Sequence, residues 1–265
     1  MIGIISVILC AVTTVTIWIS MQNRANGNHS SRPSFLIPWA LAIISMGAFV
    51  YARVFDGQGV NFEFYNSLLV ASFVINLMLY CACLVKPVEH LGLIVLPISL
   101  ACLALNILLL EPGSAINLNS GIQAHIITSI VAFSILCLSA VQAILLFFQE
   151  RVLKQHTNTG ILRALPSLHE NETMLFQSIS FGVIILTSAL VTGFIYLDDI
   201  FAQHLVHKTT LSSLAWVVFV ILLWGRFQFG WRGTTAIRWS LAGFTFLILA
   251  YFGSKFVLEL LLYNA

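Results

Sequence analysis

Charge is what this sequence has least of. Twelve Lys and Arg and ten Asp and Glu are spread over 265 residues, so charged side chains make up 8% while hydrophobic ones make up 59%. A soluble domain carries roughly 25% charged residues, so this chain cannot cover its surface with groups that face water. Most of that surface must face lipid instead. No stretch is polar enough to fold as a soluble domain, and the chain is expected to form one integral membrane domain over residues 1–265. The net charge of +2 is too small to attract a nucleic acid.

Other absences narrow the chemistry. The five cysteines, Cys10, Cys81, Cys83, Cys102 and Cys137, form no CxxC and no CxxCH haem-attachment site. They read as small core residues. Walker A, GxSxG and HExxH patterns are all missing, and nothing else in the sequence points to an enzyme. No run of acids lies in mid-helix, which argues against a proton- or cation-coupled carrier, because such routes need ionisable groups at depth.

What is present is long apolar runs. A spanning helix needs about 20 such residues, and eight runs qualify: Ile2–Ser20, Leu36–Ala52, Ser67–Val85, Leu91–Leu110, Gln123–Phe148, Met174–Leu197, Leu211–Gly225 and Ile237–Leu258. The seventh is short and can be extended back towards His207. Pro97 is expected to kink the fourth. Pro33, Pro38, Pro87, Pro112 and Pro166 are expected in loops or first turns. Glycines within the runs (Gly47, Gly92, Gly182, Gly193, Gly243, Gly253) are expected to permit close helix contacts. The fold class is therefore all-α, a polytopic membrane bundle of about eight helices.

The basic residues orient it. Arg24, Arg32, Lys86, Arg151, Lys154, Arg163, Arg226, Arg232 and Arg238 fall on one set of alternate loops. Only Arg53, Lys208 and Lys255 fall on the other. The positive-inside rule makes the richer side cytoplasmic and places both termini on the non-cytoplasmic side. Asp56, Glu63, Glu111, Asp198, Asp199 and Glu259 then face outward. The first run has no basic residue before it and Arg24 after it, the reverse of a signal peptide, so it is expected to be a retained helix. The connection Glu150–Thr173 reads as a cytoplasmic linker, in part helical.

His29, His90, His156 and His169 lie on the cytoplasmic side by this reading, and His125, His204 and His207 on the outer side. His125 opens the fifth run. His204 and His207 sit three residues apart in the loop before the seventh, and share a face if that stretch is helical. Neutral imidazole ligates haem iron and zinc, so His125 and His207 are candidate metal ligands with His204 beside them. The simpler reading makes all three hydrogen-bonded boundary residues. The outer cations Arg53, Lys208 and Lys255 would suit the carboxylates of a haem. For Lys255, a pair with Glu259 four residues on, or snorkelling to the interface, accounts for it equally well. The segment Trp224-Gly225-Arg226-Phe227-Gln228-Phe229-Gly230-Trp231-Arg232-Gly233 reads as a headgroup-level anchor, or as a contact for anionic lipid or a cytoplasmic partner.

A family resemblance now becomes visible. It is carried by Ala124-His125-Ile126 through Ser134 opening a long helix that ends in Glu150-Arg151, and by Phe181-Gly182-Val183-Ile184-Ile185-Leu186-Thr187 with Leu190-Val191-Thr192-Gly193. His207-Lys208-Thr209 before Leu211 and Trp216, then Trp224-Gly225-Arg226, Gly230-Trp231-Arg232-Gly233, Gly243-Phe244 and Ala250-Tyr251-Phe252-Gly253, complete it. In these the chain resembles the CcsA/CcmC/CcmF-type cytochrome c assembly family of haem-handling membrane proteins, in its shorter HemX-like or YpjD-like branch. The likeness is close over about 120–260 and rests only on helix number and hydrophobicity before that. It implies a haem held at the outer face, with His125 as the family's first outer histidine. The haem-delivering members have a tryptophan-rich outer loop and a second outer histidine near the end of the last helix. Here Asp198–Thr210 contains no tryptophan, and Leu262 stands near the second position. His204 or His207 is the substitute available.

The expected function is therefore membrane haem handling: binding or presenting haem without forming a covalent bond, in a bacterial inner membrane, with haem as cofactor. Expected partners are the lipid bilayer and a cytochrome c maturation protein or another membrane protein. Two alternatives stand beside it. One is an accessory or regulatory membrane subunit that has lost haem delivery, and the other is a small-solute transporter.

Overall fold

A computed structural model describes residues 1–26, 33–55, 59–61, 63–109, 119–155, 165–196 and 203–253, with backbone alone for Pro33 and residues 203–206. The elements in chain order are α1 (Ile2–Ala25), α2 (Pro33–Val54), α3 (Phe64–Val85), a 3-10 turn (Glu89–Leu91) leading into α4 (Gly92–Leu108), α5 (Ser120–Lys154), α6 (Leu168–Tyr196), α7 (Gln203–Phe229) and α8 (Thr234–Ile248). A π-turn (Leu249–Gly253) extends α8. Eight helices are long and apolar enough to cross a membrane. The described residues contain no strand, only an isolated bridge between Phe55 and Val60. The protein is a multi-pass, all-helical membrane protein.

The helices form two compact units, Met1–Asn117 with Arg151–Ser167, and Leu118–Glu150 with Leu168–Ala265. In the first, α1 packs on α2 and α4, and α3 packs on α2 and α4. Small residues set these contacts, because lipid tails give helices no hydrophobic reason to associate and close packing must do it. Gly47 admits the Phe73 ring, and Gly92 admits Ile17 and Trp39. Buried hydroxyls bond back to their own helix, Thr13 to the Leu9 carbonyl and Ser99 to that of Val95, which gives these polar groups partners away from water. Asn76 then ties α3 to α4 by donating to Ser99 Oγ at 2.5 Å.

In the second unit, α7 packs on α6, α8 and the π-turn. Gly182 receives Leu136 from α5, and Gly243 receives Phe219 from α7. Phe133 on α5 is surrounded by Phe244, Tyr251 and Phe252. Large apolar side chains left outside, such as Ile44, Ile184 and Phe194, face the acyl chains.

Several details differ from the sequence reading. Pro38 is not in a first turn but inside α2, which Pro33 opens. A proline one turn into a helix forfeits only one backbone bond near an end whose first donors are unpaired anyway, so the helix tolerates it. The stretch holding His204 and His207 is helix rather than loop, since α7 begins at Gln203. The connection Glu150–Thr173, expected to be in part helical, is helix at both ends, since α5 runs to Lys154 and α6 begins at Leu168. Among the described residues, Gly253 lies near Leu249 of its own turn alone. Lys255, Glu259, Leu262, His29 and His156 lie outside the described residues.

Candidate functional site

His125 lies in the second turn of α5. Asn119 starts that helix by accepting the Ser120 amide on its side-chain oxygen at 2.9 Å, a capping role that suits asparagine. Five residues later the helix has turned His125 towards α6, where its ring is half-buried. Nδ1 lies 2.9 Å from the Ala189 carbonyl and 3.4 Å from the Thr192 hydroxyl. A carbonyl oxygen accepts and never donates. Nδ1 therefore carries the proton, and Nε2 keeps its lone pair. The described residues offer Nε2 no hydrogen-bond partner.

Two glycines make this approach possible. A Cβ on Gly193 would lie 2.8 Å from His125 Cε1, so the imidazole occupies the space a side chain would need. One turn further out the arrangement is reversed: a Cβ on Gly121 of α5 would overlap the Tyr196 ring of α6. Each helix thus gives the other a ring and receives one, which fixes their register around His125. The neighbouring helix is tied in by Trp216 of α7, whose indole N–H donates to Thr187 Oγ1 at 2.8 Å.

The other expected site residues are distributed as follows. His207 is exposed in the first turns of α7. Lys208 follows it, half-buried, and its carbonyl accepts from Ser212 at 2.8 Å. His204 lies on the same helix, but its side chain is outside the described residues. Arg53 belongs to the first unit, where it donates to the Asn106 carbonyl at 3.4 Å and lies over the Phe49 ring at 5.4 Å. No three His, Cys, Asp or Glu side chains gather into a metal cage among the described residues. Among the described residues the donor set is thus one anchored imidazole, which suits one ligand of an iron that a porphyrin already holds.

Sequence reasoning missed the groups that cost most to bury. Glu89 and Glu172 are carboxylates 2% and 7% exposed. Glu89 is paired with Arg24. Glu172 receives Arg226 at 2.7 Å and Arg232 at 3.0 Å on the same oxygen. Asn171 beside it takes Gln142 Nε2 at 3.0 Å and donates to Gln149 at 3.1 Å, lacing α5 to α6. The signal available was that the side rich in Lys and Arg also holds Glu89 and Glu172, each at the start of an apolar run.

Comparison with known proteins agrees with this architecture. The family model described as cytochrome C assembly protein matches residues 2–262. The chain is 30% identical over 241 residues to inner membrane protein YpjD of Escherichia coli strain K12, covering 88% of this chain and 90% of that protein. It is 35% identical over 143 residues to an uncharacterized 28.8 kDa protein of Azospirillum brasilense, about 53% of each chain. It is 24% identical over 146 residues to protein HemX of Brevibacillus brevis, about 54% of each. No solved structure matches it with significance. The likeness therefore extends through the N-terminal helices, where the sequence alone gave only number and hydrophobicity.

Proposed function

The chain belongs to the cytochrome c assembly protein family, and from that premise we propose that it binds or presents haem at the outer face of its second unit. The observation that carries this reading is the His125 ring, held through Nδ1 by the Ala189 carbonyl. Anchoring one ring nitrogen to a carbonyl orients the other for metal and raises its basicity. His125 would be one ligand of haem iron. His207, at the start of α7, is the available second ligand, with His204 on the same helix. Lys208, next to His207, would face the propionates. Bound haem would supply the iron chemistry, and the chain supplies orientation and a lipid-shielded wall. No side chain here is assigned a covalent step, and the protein acts as a haem handler rather than an enzyme.

The setting is a bacterial inner membrane, as the likeness to an inner membrane protein of Escherichia coli and the eight spans support. The excess of Lys and Arg on alternate loops supports a topology with both termini on the non-cytoplasmic side. A cytochrome c maturation protein or another membrane protein would receive or supply the haem. The test is haem content after purification in mild detergent from haem-replete cells. Wild type should retain haem and His125→Ala should lose it; equal content in both would remove His125 from the site. A second reading is favoured by one specific observation, the absence of tryptophan from Asp198–Thr210. Under it the fold serves as an accessory or regulatory subunit without haem delivery, and wild type would carry no haem at all.

A further inference from the structure

At the other end of the second unit, α7 ends at Phe229 and the chain turns through Gly230 and Gly233, at φ 63° and 54°, before α8 begins. These are left-handed conformations that glycine adopts without strain. The turn folds Trp231 back flat against Gly225, where a Cβ would overlap its ring. Trp231 is stacked between Phe229 at 6.3 Å and Trp239 at 5.5 Å. Arg232 is thereby brought over α6, beside Arg226. Both guanidiniums converge on Glu172, whose side chain is only 9% exposed.

Glu172 accepts from both guanidiniums on one oxygen and does not use all of their donors. Arg226 spends Nη1 on Glu172 and on the Trp231 carbonyl, and its Cζ lies 4.5 Å from the Phe176 ring centroid. Arg232 spends Nε on Glu172 and Nη2 on His169 Nδ1 at 3.2 Å. Among the described residues, no hydrogen bond occupies Nη1 of Arg232 or Nε and Nη2 of Arg226. Arg226, Arg232 and Glu172 together carry a net charge of +1, the Glu150 carboxylate lies against Gly233 beside them, and the Arg232 side chain is 53% exposed. Around it Trp224, Phe227 and Phe229 are 62%, 89% and 71% exposed, the aromatic girdle of a helix end at headgroup depth.

We propose that Arg226, Arg232 and Glu172 form a binding site for the phosphate of an anionic phospholipid headgroup. Glu172 sets the two guanidiniums, and their unspent N–H groups take phosphate oxygens in the fork geometry that arginine offers and lysine does not. The exposed aromatics hold the acyl side of the same lipid. The site is independent of haem. It commits to lipid rather than to a soluble anion, because it lies where a spanning helix leaves the bilayer.

The test is native mass spectrometry of the full-length protein in detergent with graded phosphatidylglycerol or phosphatidylcholine, read as lipid retained per protein. Wild type should hold one phosphatidylglycerol in preference to phosphatidylcholine. Arg232→Gln should weaken that retention roughly tenfold, the value of one charge-assisted hydrogen bond, and Arg232→Lys, which has no planar guanidinium to span Glu172 and the phosphate, should not restore it. Arg151→Gln, which removes an exposed cation from the last turn of α5, should leave it unchanged. A helical circular dichroism spectrum equal to wild type shows that each variant folds. Equal losses from Arg232→Gln and Arg151→Gln would reduce the effect to general charge attraction and overturn the proposal. So would displacement of the lipid by millimolar inorganic phosphate, which would make the site one for a free anion.

Discussion

The proton on His125 Nδ1 is fixed by the Ala189 oxygen, and the ring position is fixed by what Gly193 lacks. Gly193→Ala would place a methyl 2.8 Å from Cε1, so the imidazole must shift by a few tenths of an ångström or lose its bond to Ala189. Haemin affinity should fall by about tenfold, a change near 1.4 kcal/mol, with the helical content kept. Titration of detergent-solubilised protein checks this. Gly182→Ala is the comparison, because the methyl there meets Leu136 rather than a ligand. It should cost stability, about 1–3 kcal/mol of overpacking, while leaving haem affinity unchanged. At this scale the sequence was partly legible. A histidine opening an apolar helix stood out, and so did Gly193 as a close-contact position, whereas nothing in the sequence set the Ala189 carbonyl and Gly193 of α6 against that histidine.

Between elements, the strongest ties are polar ones at helix ends. Arg24 at the end of α1 meets Glu89 just before α4, with 27% and 3% of their side chains exposed. Glu89→Ala leaves the guanidinium without its counter-charge. Because Arg24 keeps some access to water, the expected loss is about 1–3 kcal/mol rather than the larger cost of a fully buried orphan. Removing both charges, as in Arg24→Met with Glu89→Leu, should recover most of it, and thermal unfolding in detergent measures the difference. A double variant as unstable as Glu89→Ala would contradict a pairwise tie. The spans themselves were legible because a run of about 20 apolar residues has few alternatives to a membrane helix. The ion pairs were not, because a glutamate at a span boundary reads the same whether it faces solvent or a distant arginine.

At the scale of the molecule, the eight membrane-length helices of the described residues fall in two compact units, and the family likeness covers both. Hydrophobicity alone predicted that number, and the tally of Lys and Arg supports the proposed orientation. The proposed outward termini predict that a tag at the C-terminus is cleaved by protease added to intact spheroplasts. Protection of the tag there would reverse the topology and move His125 to the cytoplasmic face. The missing tryptophans of Asp198–Thr210 are what keep the haem-free accessory reading in play. One experiment separates it from haem binding: an absorption spectrum of the purified protein with one equivalent of haemin, oxidised and then reduced, beside His125→Ala. A Soret band that sharpens on reduction in wild type and is lost in the variant is the predicted result. The same spectrum for both proteins, or only that of free haemin in each, would contradict a haem site built on His125.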